Sequence, residues 1–100
     1  MSVYWTDRAK ARLRAIQEHI GKDSPQTARN EVEKILRRSW QLAEPPEIGH
    51  PVPGYEDTGL SEALVRPYRL IYLIKSTQVD VITVLHYRQL LPQDLDFLDH

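Results

Sequence analysis

The chain has 100 residues, of which 27% are charged and 41% are hydrophobic, and it contains no cysteine. This length suits a single domain over residues 1–100 with one hydrophobic core. The lack of cysteine excludes a disulfide scaffold and a thiolate metal site, and it fits a reducing cytoplasm. The sequence contains no run of 18 apolar residues, the length needed to span a membrane. Asp7 and Arg8 interrupt the N-terminus too early to leave room for the apolar segment of a signal peptide. We therefore expect a cytoplasmic domain with no membrane partner.

Charge differs between the two halves of the chain. Thirteen lysines and arginines against fourteen acids leave a net charge of −1, unlike the basic balance of a dedicated nucleic-acid-binding domain. Residues 1–50 carry a net charge of +2, and residues 51–100 carry −3. Because an acidic surface repels a polyanion, we expect no direct sequence-specific DNA binding by this chain alone.

The first half predicts a strand followed by two helices. Residues 3–5 are apolar and β-favouring, and Thr6 after them suits the N-cap of a helix. Ser24 and Pro25 begin a second helix, and Gly21 before them supplies the stop of the first. The short link predicts an antiparallel helical hairpin. Apolar side chains recur at helical spacing in both segments: Ala9, Leu13, Ile16, Ile20, then Ala28, Val32, Ile35, Leu36 and Leu42.

The second half predicts a long loop and three strands. Residues 44–61 hold four of the seven prolines and three of the four glycines, so this stretch is either a solvated connector or a functional loop. Residues 62–65, 68–75 and 79–87 are rich in β-branched and aromatic side chains, and residues 94–98 suit one weak helical turn. The predicted fold is α+β in the order β-α-α-β-β-β, with an antiparallel-rich sheet packed against the N-terminal helical hairpin.

The connection between the last two strands leaves two registers open. A three-residue loop places Tyr68 opposite His86, whereas a four-residue loop shifts the pairing by one residue and places Arg69 on the sheet face of His86. Such a cluster suits phosphate or a partner's carboxylates, and a solvated sheet end is the other interpretation. We expect exposed arginines here, whose replacement by Ala costs at most about 1 kcal/mol of stability. In both registers the strand ends gather the candidate binding residues: Arg66, Tyr68, Arg69, His86, Tyr87 and Arg88.

No motif for catalysis or for a cofactor stands out. No two histidines lie at the spacing of a metal site. There is no GxSxG sequence, glycine-rich phosphate loop or nucleophilic cysteine, and scattered serines, histidines and acids do not establish a triad. We therefore expect no cofactor and no metal.

Four segments form a familiar series along the chain. They are Val3–Thr6 before the first helix, Pro53-Gly54 in the loop, Val65–Tyr72 and Val84–Arg88. Together, and in this order, they resemble the RelE/ParE toxin superfamily of type II toxin–antitoxin modules, and the resemblance covers nearly the whole chain. It implies the β-α-α-β-β-β fold, a toxin that acts in the cytoplasm, and a cognate antitoxin that is ParD-like or another small protein.

The superfamily contains two kinds of toxin. RelE-type toxins cleave messenger RNA on the ribosome, and ParE-type toxins poison DNA gyrase. In the nuclease pattern Arg69 and Arg88 match two expected cations, while Glu62 and Leu64 stand where two lysines are expected. An anion there opposes the charge stabilisation that RNA cleavage needs. The chain therefore resembles the ParE branch, an inhibitor of DNA gyrase with no reaction of its own.

Two alternatives stay open beside this interpretation. One is a RelE-like, ribosome-dependent mRNA endoribonuclease that uses Arg69, His86 and Arg88; the other is a non-toxic domain that only binds its antitoxin. In each case the resemblance implies a disordered antitoxin tail that folds over the toxin. Basic side chains on the two helices would attract an acidic amphipathic segment. The candidate antitoxin-binding residues are Arg8, Arg12, Arg29, Arg37 and Arg38.

Overall fold

The computed structural model describes residues 1–91. The turn predicted at residues 94–98 lies outside this part of the chain. The helices are α1 (Asp7–Gly21) and α2 (Pro25–Trp40). The strands are β1 (Ser2–Trp5), β2 (His50–Pro51), β3 (Leu60–Val65), β4 (Tyr68–Ile74) and β5 (Gln78–His86).

Both helices begin where the sequence predicts. The Thr6 hydroxyl accepts a hydrogen bond from the Ala9 amide at 3.2 Å, and the Ser24 hydroxyl accepts one from the Thr27 amide at 3.2 Å. These N-caps satisfy amides that the first helical turn leaves without partners. The end of α1 differs from the prediction, because Gly21 is its last helical residue and the cap that follows is right-handed. Gly21 therefore does not form the left-handed stop.

Within residues 1–91 the sheet has five strands in the order β1-β5-β4-β3-β2, with β1 parallel to β5 and the other neighbours antiparallel. The prediction of an α+β fold with a helical hairpin against an antiparallel-rich sheet is confirmed. The additional strand is β2, inside the predicted loop, where His50 pairs with Glu62. A strand of two residues is too short to show the alternation that predicts a strand. Pro51 is tolerated in it because β2 lies at the sheet edge.

One hydrophobic core lies between the sheet and the helices. It combines buried residues of β1, both helices and the central strands, among them Trp5, Ile35 and Leu70. The Trp5 indole donates to the Ser39 hydroxyl at 3.0 Å, and that hydroxyl donates to the Leu36 carbonyl at 2.7 Å. This buried relay joins β1 to α2 without leaving a polar group unpaired.

The β4–β5 hairpin contains both of the registers left open by the sequence. Near the turn Ile74 pairs with Val79, as a four-residue loop requires, whereas Tyr68 pairs with His86, as a three-residue loop requires. A β-bulge at Ile82 accounts for the difference, because one extra residue on β5 shifts the pairing by one. After the bulge, the side chains of β5 again alternate between the two sheet faces, but odd- and even-numbered residues have exchanged faces.

The proline-rich loop between α2 and β3 crosses the edge of the sheet and covers its second face. On the helix side the buried Tyr72 hydroxyl donates to the Pro46 carbonyl at 2.7 Å and accepts from the Gly49 amide at 3.2 Å. A Cβ on Gly49 would collide with the Glu62 carbonyl oxygen, so the crossing needs glycine. On the other face Val52 joins a second core. That core also contains Leu60, Ile71, Ile82, Leu85 and Leu91.

Replacing Tyr72 with Phe tests how firmly this crossing is held. Burial raises the pKa of the Tyr72 hydroxyl, which therefore stays protonated and donates at neutral pH. The variant leaves the Pro46 carbonyl and the Gly49 amide without this partner, so we expect a loss of about 1–3 kcal/mol in the free energy of unfolding. Urea denaturation measures it. Tyr4→Phe is the control, since Tyr4 is half exposed; equal midpoints for the two variants would contradict the expectation.

Candidate functional site

The sheet separates the strand-end residues that the sequence grouped together. Tyr68 and His86 pair across β4 and β5 and share the helix side with Leu70. Arg69 pairs with Leu85, which belongs to the core on the opposite face. Since neighbouring residues of a strand point to opposite faces, Arg69 and His86 cannot converge on one ligand from these positions. The functional roles of these residues remain predictions.

Arg69 forms a largely buried ion pair with Glu62. Its Nη1 atom lies 2.7 Å from Glu62 Oε2, and the two side chains are 15% and 7% exposed. A second nitrogen, Nη2, donates to the Gln89 carbonyl at 2.6 Å, and Glu62 Oε1 lies 3.5 Å from His50 Nε2. The expectation that Arg69 is an exposed cation is therefore wrong, because its charge is neutralised inside the fold. The sequence contains both partners, but only the register of β3 against β4 brings them together.

An apolar hollow lies beside this pair, at the end of the sheet. We call it the Tyr87 hollow; it has a volume of about 550 Å³ and is lined by Leu64, Arg66, Pro67 and Tyr87. The Leu64 and Tyr87 side chains are 41% and 49% exposed. In the sequence analysis Leu64 mattered only because it stands where the nuclease pattern expects a lysine. Its position, an apolar side chain facing solvent, becomes visible only in the fold.

Hydrogen bonds hold the rim of the Tyr87 hollow in place. The Tyr87 amide donates to the Pro67 carbonyl at 2.8 Å, and Lys34 Nζ of α2 donates to the Arg66 carbonyl at 2.9 Å. The Arg88 guanidinium lies 5.2 Å from the centre of the Tyr87 ring, and its Nε donates to the Tyr87 hydroxyl at 2.8 Å. An exposed aromatic ring flanked by arginines and aliphatic side chains is the composition of a protein-binding hot spot.

The five arginines predicted to bind an antitoxin do not form one basic face. Arg29 and Arg38 are nine residues apart, which turns them about 180° from each other around α2. Arg38 is half-buried, and its Nε donates to the Leu64 carbonyl at 3.1 Å. Arg12 of α1 is also half-buried and donates to the Val84 carbonyl at 3.1 Å. Arg8 is exposed at the start of α1.

The exposed side of α2 instead combines cations with an aromatic side chain. Arg37 lies beside Trp40, Leu36 and Glu33 in a shallow groove, and Trp40 is 60% exposed. Arg29 follows the same side of the helix toward its N-terminus, because residues four and seven apart share a helical face. We call this surface the Trp40 face. The sequence analysis did not identify Trp40 as a candidate binding residue.

Within residues 1–91, no three histidine or acidic side chains are grouped to hold a metal ion. No helix in the same part of the chain is long and apolar enough to cross a bilayer.

Replacing Arg69 with Ala removes the cation from a buried carboxylate. We expect a loss of about 3 kcal/mol in the free energy of unfolding, because Glu62 then stays buried without its partner. Arg88→Ala is the matched control; its side chain is exposed and contacts the half-exposed Tyr87, so the loss should stay within about 1 kcal/mol. Urea denaturation of both variants measures the difference. A loss for Arg69→Ala no larger than that for Arg88→Ala would show that the ion pair adds nothing.

Comparison with known proteins identifies the family of this chain. The family model described as the ParE toxin of type II toxin–antitoxin system, parDE, matches residues 3–91. The chain is 36% identical over 95 residues to the protein Y4kP of Sinorhizobium fredii, covering 93% of this chain and 95% of that protein. It is 32% identical over 88 residues to toxin RelE2 of Caulobacter vibrioides, covering 88% of this chain and 97% of the relative.

Two solved structures share the fold. One is from the chromosomal ParDE toxin–antitoxin system of P. aeruginosa, with a TM-score of 0.73, 26% identity, and coverage of 86% of this chain and 95% of that one. The other is from the RelBE2 toxin–antitoxin complex of Mycobacterium tuberculosis, with a TM-score of 0.62, 25% identity, and coverage of 85% and 88%. Because the family model spans residues 3–91, the chain belongs to the ParE toxin family of type II toxin–antitoxin systems.

Proposed function

We propose that this toxin inhibits DNA gyrase in the cytoplasm by binding to it, without catalysing a reaction of its own. The observation that carries the proposal is the Glu62–Arg69 ion pair. Cleavage of RNA through its 2′-hydroxyl builds negative charge at phosphorus, which a nuclease must stabilise with free cations. On this sheet face the arginine is occupied by a carboxylate 2.7 Å away, and Leu64 supplies no charge.

The Tyr87 hollow supports binding to a protein target. Its exposed tyrosine and leucine offer apolar area, and Arg66 and Arg88 at its rim offer charged donors that pair with carboxylates. Hydrogen bonds from Lys34 of α2 to the Arg66 carbonyl and from the Tyr87 amide to the Pro67 carbonyl hold these backbone positions, so little ordering is needed on binding. Tyr68, Arg69 and His86, which the sequence grouped with these residues, are not among those that line the hollow.

The second candidate is a RelE-like mRNA endoribonuclease that uses Arg69, His86 and Arg88. It is favoured by the relatives, since toxin RelE2 and the RelBE2 complex are among them. It requires these three side chains to act on one phosphate. In this fold they lie on two sides of the sheet and beyond its end, so the ParE-like proposal is the stronger one.

Parallel assays of the purified toxin distinguish the two candidates. We expect inhibition of gyrase supercoiling or accumulation of gyrase-cleaved DNA, and no cuts in ribosome-bound mRNA. Tyr87→Ala should weaken gyrase inhibition by about tenfold or more, as loss of an interface hot spot does, while thermal unfolding shows an intact fold. Tyr4→Ala, another half-exposed tyrosine, is the control. Codon-specific mRNA cuts with unaffected gyrase would reject the proposal in favour of the nuclease.

We also propose that the cognate antitoxin, ParD-like or another small protein, docks an acidic amphipathic segment on the Trp40 face. Trp40 and Leu36 supply apolar area, and Arg29 and Arg37 supply charge. Charge at the rim of an interface mainly accelerates association. Replacing both arginines with Glu should therefore slow association several-fold at low salt, and the loss should shrink as salt screens it.

Stopped-flow mixing with the antitoxin measures this association rate. The control reverses two other exposed charges, Lys10→Glu with Lys22→Glu, and so applies the same change in net charge away from Trp40. If both double variants slow association equally, net charge alone is responsible and the Trp40 face has no special role.

A further inference from the structure

A pocket on the helix side of the sheet contains two histidines that the proposed gyrase contact leaves unused. It lies between α1 and the ends of β4 and β5, on the opposite side of the sheet from Arg69, and has a volume of about 320 Å³. We call it the two-histidine pocket. Its polar lining residues are Arg12, His19, Tyr68, His86 and Gln89.

Arg12 is held in this pocket by contacts with the strand below it. Its Nε donates to the Val84 carbonyl at 3.1 Å, and its Nη2 donates to Gln89 Oε1 at 3.2 Å. The same Gln89 oxygen accepts from the His86 amide at 2.7 Å. In the described part of the chain Nη1 meets no acceptor. Hydrogen bonds at Nε and Nη2 fix the orientation of the guanidinium, so Nη1 can donate to an anion with little loss of conformational freedom.

The two imidazoles add further donors. His86 Nδ1 accepts from the Arg88 amide at 3.4 Å, which leaves the hydrogen of the neutral ring on Nε2. The Tyr68 ring meets the His86 ring edge to face, with 6.0 Å between centroids, and fixes its orientation. His19 lies on the exposed side of α1 at the pocket mouth.

The charges around the pocket favour an anion. No Asp or Glu is among the lining residues that the structure describes. Arg12 and His19 face the pocket from α1, Tyr68 faces it from β4 and His86 from β5, while the backbone amide of Arg88 donates to His86 Nδ1. Burial raises the pKa of the Tyr68 hydroxyl, and the negative charge of Glu31 on α2 raises it further. The hydroxyl therefore stays protonated and can donate a hydrogen bond.

We propose that the two-histidine pocket binds a carboxylate side chain of the antitoxin. Arg12 and the two imidazoles would hold the carboxylate, and Ala15 and Ile16, which also line the pocket, would contact the methylene groups next to it. A protein carboxylate is favoured over a nucleic-acid phosphate because the chain carries a net charge of −1, and binding to a polyanion depends on an excess of basic side chains. This inference rests on the proposed antitoxin partner and is independent of gyrase.

The first test uses the free toxin and glutarate, a small dicarboxylate. Glutarate should cause saturable NMR shifts of the His19 and His86 ring resonances. His50, on the other side of the sheet beside Glu62, is the internal control. His19→Gln and His86→Gln should each weaken binding several-fold, with His50→Gln unchanged. Absent shifts, or equal shifts at His50, would reject the site. Tighter binding of inorganic phosphate than of glutarate would reject the carboxylate assignment.

The second test uses the complex of toxin and cognate antitoxin. The His86 ring resonances should shift in the same direction as with glutarate, and His19→Gln should raise the dissociation constant of the complex several-fold. His19 is exposed, so this variant keeps its fold. A site that binds glutarate while His19→Gln and His86→Gln leave antitoxin affinity unchanged would reject the antitoxin as its occupant. Neither test depends on whether gyrase is the target.

Discussion

The sheet is apolar on both faces, and the rest of the structure follows from the need to cover both. The helical hairpin covers one face with the stripes of α1 and α2. Among residues 1–91, which the structure describes, no α-helix packs on the second face, and the proline-rich loop covers it with Val52 and Tyr55. This loop can reach that face only by crossing the sheet edge, where Tyr72 and Gly49 hold it. A connector that looked solvated in the sequence is therefore part of the core.

Covering the second face also determines its electrostatics. Glu62 and Arg69 lie under this cover and are mostly removed from water. A buried charge is costly unless it is paired, so each side chain depends on the other. Arg69, which matches a cation of the nuclease pattern, is therefore paired with an acid inside the fold. The exposed aromatic and charged side chains lie instead at the Tyr87 hollow, at the end of the sheet.

The fold thereby separates surfaces of different character on one small domain. The Tyr87 hollow lies at the strand ends, the two-histidine pocket lies under α1, and the Trp40 face lies on the outside of α2. In our proposals the first contacts the target and the other two contact the antitoxin. The first two surfaces adjoin, because the His86 and Tyr87 ring centroids lie 4.8 Å apart, so a substitution in one is expected to affect the other.

Local signals in the sequence were sufficient for the helices, their N-caps at Thr6 and Ser24 and the long strands, because these depend on side chains only a few residues apart. Strand β2 escaped prediction, since two residues beside prolines carry no period. The candidate site was harder. The sequence contained Glu62 and Arg69, but their contact depends on the pairing of β3 with β4, and the bulge at Ile82 decides which face His86 occupies. Register is a long-range property, because a slip of one residue sends every side chain to the other face, and only the packed sheet resolves it.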